Sequence, residues 1–238
     1  MIPKIIHYCW FGGKEMPELA QKCIESWRKY LPEYELRLWN EDTFDLDMYP
    51  YAREAYDNRK FAFVTDVVRL WALEKFGGVY MDTDVEILRP LGDMMELPAF
   101  TGYEASVANS PVTGLMASAA HGIWVKEQLA YYEGKHFVRD DGSLDMTPNT
   151  GYFLDWMQKR GFVADGKEKD FMNVHILPVE CFCPVLTTGE NLRCERTYCE
   201  HKGLHSWSGD GGWKEKVLSV FGVQWKTKLI KLKRKIFD

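Results

Sequence analysis

Hydrophobic and polar positions change period several times along the first ninety residues. Ile2 to Tyr8 is almost continuously apolar and predicts a buried strand. Leu19, Cys23, Ile24, Trp27 and Tyr30 then recur at helical spacing, which predicts a helix from Pro17 through Tyr30. Pro17 suits the first turn, where a missing N–H leaves nothing unsatisfied. From Tyr34 to Trp39 the period drops to two, with Leu36 and Leu38 alternating against Glu35 and Arg37. Strand, helix and strand in this order open an α/β domain.

Asn40 is placed to cap a short helix, and Tyr49 to Arg59 predicts another. The longest helical pattern is Phe61 to Phe76, with Phe61, Val64, Val68, Leu70, Trp71 and Phe76 forming a broad apolar surface. It stops at Gly77-Gly78, the residue type that ends helices in the left-handed conformation. Val79 to Met81 re-enters the sheet, Asp82-Thr83-Asp84 follows, and Val85 to Leu88 continues as a strand. Further on, Thr101 to Tyr103, Val112 to Met116 and Val174 to Val179 read as strands, and Gly122 to Tyr132 as a helix. Asp140-Asp141-Gly142 is a turn, and Asn149 or Thr150 caps a helix running to Lys159.

Composition narrows the picture. The 238 residues suffice for one large core, and a 46% hydrophobic chain is not a disordered one. No apolar run approaches the roughly 20 residues of a spanning helix. The opening MIPKIIHYCWFGG turns at Gly12-Gly13 and lacks the apolar core and cleavage site of a signal peptide, so a cytoplasmic location is expected. Six cysteines are too few for a disulfide framework. Cys181, Cys183, Cys194 and Cys199 with His201 contain the right atoms for zinc, but not the usual CxxC spacing; ordinary thiols are expected.

The sharpest chemistry is Asp82-Thr83-Asp84. In a regular strand the two carboxylates share a face, and burying two unpaired anions is costly. A hard divalent cation removes that penalty and bridges the carboxylates to phosphate oxygens. Asp66 and Arg69, three residues apart, are polar interruptions on one side of the preceding apolar helix. They form either a local ion pair or an acid and guanidinium that grip hydroxyls and phosphate oxygens.

Several motifs in order carry a family resemblance. Ile2-Pro3-Lys4-Ile5-Ile6-His7-Tyr8-Cys9-Trp10-Phe11-Gly12-Gly13, Ser26-Trp27, Ala62 to Leu70 and Tyr80-Met81-Asp82-Thr83-Asp84 resemble glycosyltransferase family 32, especially its bacterial capsular-polysaccharide and lipopolysaccharide members. Yeast initiation mannosyltransferases and clostridial glucosylating toxins share that core more distantly. The resemblance is strong over residues 2–90 and thinner at His201 and His205-Ser206-Trp207.

The resemblance implies a GT-A type nucleotide-diphospho-sugar transferase fold, a Rossmann-like mixed sheet flanked by helices. It also implies a nucleotide-sugar donor such as a UDP-sugar, Mn2+ or Mg2+, and transfer with retained configuration to a saccharide or lipid-linked saccharide in surface polysaccharide biosynthesis. Trp10 is similar to the aromatic that stacks on the base, near the backbone of Tyr8 and Cys9. Asp66 resembles the acid that binds donor hydroxyls, with Arg69 its partner at the sugar-phosphate. Asp82 resembles the member of the pair nearer ribose and sugar, and Asp84 the direct metal ligand. Ser206 and Trp207 resemble a pair that closes on the diphosphate, and His201 or His205 completes the metal site. The histidine spacing departs from the family's adjacent pair, which leaves both open.

Thr101-Gly102-Tyr103-Glu104 and Asn149-Thr150-Gly151 fit regions that border the cleft, although Asn149 also suits a helix cap. His7 reads as structural, and no carboxylate stands out as a nucleophile. Residues 1–210 are expected to form the catalytic domain and residues 211–238 a basic amphipathic helix. The last fourteen residues carry six of the 30 basic side chains and one of the 35 acidic ones, leaving a formal charge of −10 on the rest. Leu218, Phe221, Trp225, Leu229, Leu232 and Ile236 repeat at helical spacing within residues 211–238. Such a helix either packs on the domain or contacts anionic lipid at the inner face of the cell membrane. An acidic body without a base-reading motif argues against nucleic acid. A metal-dependent phosphatase or nucleotidyltransferase, and a catalytically silent sugar-nucleotide-binding module, are the competing readings.

Overall fold

The computed structural model describes residues 1–104, 109–111, 114–186 and 188–202. Strand β1 (Ile5–Cys9), helix α1 (Glu18–Tyr30) and strand β2 (Glu35–Trp39) form the opening unit, with β1 and β2 parallel and Cys9 opposite Trp39. Helices α2 (Pro50–Asp57) and α3 (Phe61–Phe76) then lead into β3 (Gly78–Met81), which lies parallel to β1 on its other side. Parallel neighbours need a long crossover, and these helices supply it. The helix-to-strand corner needs glycine. Gly77 and Gly78 have φ of 63° and 114°, and a Cβ on Gly78 would lie 2.6 Å from the Ile5 carbonyl oxygen.

The remaining elements are β4 (Val85–Ile87), β5 (Ala99–Gly102), β6 (Leu115–Ser118), α4 (Ile123–Ala130), α5 (Asn149–Gln158), β7 (Lys169–Phe171), β8 (Val174–Leu177), α6 (Val179–Phe182) and β9 (Cys199–His201). The main sheet has seven strands in the order β2-β1-β3-β6-β5-β8-β7. Strand β6 runs antiparallel to both β3 and β5, so the sheet is mixed, while β4 and β9 pair apart from it. This is the expected α/β class, a mixed sheet flanked by helices. Side-chain alternation gives the sheet two cores. Val79 and Met81 pack with Ile6, Ile24 and Trp27 on one face, and Tyr80 packs with α3 on the other.

Four local expectations change. Strand β3 ends at Met81, and Asp82 to Asp84 form a turn, closed by the Val85 amide on the Asp82 carbonyl. Asn40 caps no helix; its side chain accepts the Asp42 amide, and Asp45 caps the single turn Leu46–Met48 instead. Asn149 is the first residue of α5 after Pro148, and no side-chain cap is made there. Strand β6 begins at Leu115, beyond the predicted start. The expected amphipathic segment 211–238 lies outside the described residues, among which no helix is long and apolar enough to cross a membrane.

Candidate active site

Strands β1 and β3 are parallel, so their carboxyl ends reach the same edge of the sheet, which places the chain after Cys9 beside the chain after Met81. Ligand sites in open α/β sheets lie at such edges. Three groups of side chains assemble there.

The first is the acidic corner. Asp82, Asp84 and His201 each bring one donor atom within 4.8 Å of the others. His201 Nε2 lies 3.1 Å from Asp84 Oδ1 and 3.9 Å from Asp82 Oδ2. The histidine arrives through the small sheet: β9 runs antiparallel to β4 with His201 opposite Val85, and the Lys202 amide bonds the Asp84 carbonyl at 2.8 Å. The side chains of Asp82, Asp84 and His201 are 26%, 13% and 22% exposed, sheltered yet reachable. Burial disfavours a charged imidazole, but hydrogen bonds to Asp84 and Cys183 and the charges of both aspartates outweigh it, and His201 is held well above its usual pKa. Two carboxylate oxygens and one imidazole nitrogen are a donor set that suits a divalent ion such as Mn2+. Of the two candidate histidines, the geometry brings His201 to the aspartates; His205 lies outside the described residues.

The second group is buried. Asp66 and Arg69 on α3 are only 7% and 5% exposed. Arg69 reaches Asp66 Oδ1 at 3.1 Å and Asp82 Oδ1 at 3.6 Å, and its guanidinium stacks 4.7 Å over the Tyr80 ring. The Tyr80 hydroxyl donates to Asp82 Oδ1 at 2.6 Å. Asn149 Nδ2 donates to Asp66 Oδ1 at 2.6 Å. Burial raises the Asp66 carboxyl to about 7, against the pull of Arg69. Of the two alternatives for Asp66 and Arg69, the geometry shows the ion pair, and that pair abuts the acidic corner.

The third group is the β1 edge. Trp10 follows β1, its amide bonded to the Trp39 carbonyl at 3.0 Å and its indole N–H to the Lys14 carbonyl. It is partly exposed, as an aromatic platform requires. Glu41 fixes this loop by accepting both the Gly12 amide and the Tyr56 hydroxyl. Tyr8 packs edge-on against Trp27 on the opposite face of the sheet from Cys9. Cys9 is buried close to Arg69 and Asp82, and burial pushes its thiol far up. His7 is structural: its Nε2 donates to the Gly77 carbonyl at 2.8 Å, and its Nδ1 accepts the Trp39 indole at 3.1 Å.

Other expectations fall elsewhere. Ser206 and Trp207 lie outside the described residues. Glu104 sits beyond β5 with its amide on the Ser110 carbonyl, and among the described residues no hydrogen bond or ion pair joins its side chain to the corner. Cys181, Cys183 and Cys199 are buried thiols, and among the described residues the one group able to hold a metal is Asp82, Asp84 and His201. The role of Ser26-Trp27 was not readable from sequence. Trp27 Nε1 donates to the Val85 carbonyl at 2.7 Å, and Ser26 Oγ accepts the Ile87 amide at 2.9 Å, so α1 clamps the strand that leaves Asp84. Tyr80 was legible only as a core aromatic, because nothing in its spacing shows where its hydroxyl points.

Paired aspartates and a histidine thus meet at a sheet edge, backed by a buried acid–guanidinium pair, in an arrangement able to hold a metal ion. Residues 17–103 match the family of the glycosyltransferase sugar-binding region containing DXD motif. The match includes Asp66, Arg69, Asp82 and Asp84 but neither Trp10 nor His201. Inositol phosphoceramide mannosyltransferase 3 of Schizosaccharomyces pombe is 36% identical over 103 residues, 42% of this chain and 29% of that protein. An uncharacterized glycosyltransferase of Acanthamoeba polyphaga mimivirus is 29% identical over 159 residues, 63% of this chain and 62% of that one. The chain thus matches under a third of the fungal relative's length. Among solved structures, PaToxG glycosyltransferase aligns with a TM-score of 0.46 at 17% identity, covering 67% of this chain and 75% of that one.

Proposed function

We propose that the protein is a metal-dependent, retaining glycosyltransferase that moves a hexosyl group from a nucleoside-diphosphate sugar to a saccharide or lipid-linked saccharide. The observation that carries this reading is the convergence of Asp82, Asp84 and His201 donor atoms within 4.8 Å, beside the Asp66–Arg69 pair. Asp82, Asp84 and His201 would hold Mn2+ or Mg2+, which supplies charge neutralisation at the diphosphate oxygens. Arg69 adds a fixed positive charge on the same side, in a site shielded from water. Asp66 keeps its Oδ2 without a hydrogen bond among the described residues, and that oxygen accepts from a sugar hydroxyl and holds the ring in its reacting pose. Trp10 offers a face to the base. In the reaction the anomeric carbon–oxygen bond to the diphosphate breaks and a bond to the acceptor oxygen forms on the same side. The acceptor's proton passes to the departing phosphate oxygen.

The fungal relatives' names describe mannosyl transfer to a ceramide-linked inositol phosphate, which favours a lipid-linked acceptor here and puts mannosyl donors beside UDP-sugars in any screen. Surface polysaccharide biosynthesis is the setting the sequence resemblance favours. The cationic tail supports work at the inner membrane face; liposome sedimentation should require anionic lipid, weaken with salt and be lost on truncation after Gln224.

The deciding experiment is release of nucleoside diphosphate from a panel of UDP- and GDP-sugars with and without Mn2+. Release should need the metal and nearly vanish in Asp84→Asn with the fold retained. An unchanged rate in that variant removes the metal role. Donor binding without consumption, whatever glycan-lipid is offered, would instead mark a silent binding module.

A further inference from the structure

We propose that Gly114 and Cys183 are positioning residues for the acidic corner, Gly114 by leaving space for the Asp82 carboxylate and the His201 ring, and Cys183 by hydrogen-bonding that ring. The inference rests on reading Asp82, Asp84 and His201 as a divalent-ion site.

Gly114 lies just before β6, with Met81 paired to the adjacent Leu115. A Cβ built on it would sit 3.0 Å from Asp82 Oδ2, 3.0 Å from His201 Cε1 and 3.2 Å from His201 Nδ1. Asp82 Oδ2 is the oxygen that faces His201 Nε2, so the side chain missing at Gly114 would press on both partners of that contact. The glycine has little freedom to retreat, because its carbonyl accepts the Asp82 amide at 2.8 Å and the next residue is fixed in the sheet. Its φ lies outside the left-handed region, so space rather than backbone conformation excludes a side chain.

Cys183 follows α6, its amide on the Val179 carbonyl at 2.8 Å. It is 6% exposed, and its side chain hydrogen-bonds the imidazole of His201. A thiol fixed by its own backbone is a firm point from which to set the angle of that ring. Metal-binding histidines are oriented by hydrogen bonds of this kind, and their loss costs metal affinity even though the partner touches no metal. Neither residue sits in a motif: one is a lone glycine, the other half of a Cys-Phe-Cys run, and only the folded chain brings them to the same imidazole.

The test is Mn2+ affinity of the full chain, read from the free-ion electron paramagnetic resonance signal, for wild type, D84N, G114A, C183A and C183S, with thermal unfolding recorded for each. G114A and C183A should bind Mn2+ about 10- to 100-fold more weakly at near wild-type unfolding temperature. C183S, which keeps a hydrogen-bonding oxygen, should recover part of the C183A loss, a rescue that a packing role would not produce. If G114A does not fold, the C183A and C183S pair decides. Wild-type affinity in both G114A and C183A, with D84N impaired, overturns the positioning roles and leaves the metal site standing. A wild-type chain that binds no Mn2+ overturns the site reading and this inference together.

Discussion

Asn149 Nδ2 stands 2.6 Å from Asp66 Oδ1, with both side chains buried and 83 positions apart in sequence. This bond ties the first residue of α5 to the middle of α3, joining the late part of the chain to the helix that carries the acid–guanidinium pair. Removing it leaves a buried carboxylate short of a donor. Asn149→Ala should lower unfolding free energy by about 1.5–3 kcal/mol, the range for hydrogen bonds to charged groups. Asn149→Asp should cost more, because it sets a second carboxyl against the first. Urea unfolding of both variants checks the order; equal loss would mean that the amide does no more than fill space.

Arg69 neutralises two carboxylates from a position that is nearly inaccessible. Arg69→Ala strands Asp66 beside Asp82 and should cost about 3–5 kcal/mol. Arg69→Lys restores the charge but neither the forked geometry nor the stack on Tyr80, so stability should recover further than donor turnover does. Parallel unfolding and turnover measurements separate the two effects.

The clamp of α1 on β4 gives a third prediction. Trp27→Phe keeps the buried ring but leaves the Val85 carbonyl without its donor, and Ser26→Ala leaves the Ile87 amide without its acceptor. Each should cost about 1–3 kcal/mol. Because β4 leaves directly from Asp84, Mn2+ affinity should fall along with stability, which titration of the purified variants would show.

His7 and Asp66 make stability depend on pH with opposite signs. Burial, opposed by the Gly77 hydrogen bond, lowers His7 from 6.5 to about 4, and the geometry agrees: Nδ1 accepts the Trp39 indole only while unprotonated. The unfolded chain therefore binds the extra proton first, and His7's contribution is full above about 6.5 and lost as pH falls through 4, by about 3 kcal/mol. Asp66 is raised above its unfolded 3.8 by burial, so the folded state holds the proton longer and stability falls as pH rises from about 4 to 7. Wild type should thus lose its margin over His7→Gln on acidification, and over Asp66→Asn on going from pH 4 to 7. Denaturant melts across that range would refute either assignment if its difference curve were flat.

Much of this protein was written in local pattern. The first strand–helix–strand unit, the long apolar helix Phe61–Phe76 and its glycine stop follow from periodicity and backbone sterics, which act within a few residues. Asp66, Arg69, Asp82 and Asp84 were visible as charges where charges are costly, and their ordered motifs carry the resemblance to glycosyltransferase family 32. Strands β7 and β9, at three residues each, are too short to show a period. The fold alone decided the rest. The aspartates converge from a turn instead of sharing a strand face. His201 reaches them because β9 pairs with β4, and Asn149 spends its amide on Asp66 instead of capping its helix. Those outcomes depend on which distant backbones hydrogen-bond and which side chains share a core, and no short window of sequence contains both partners.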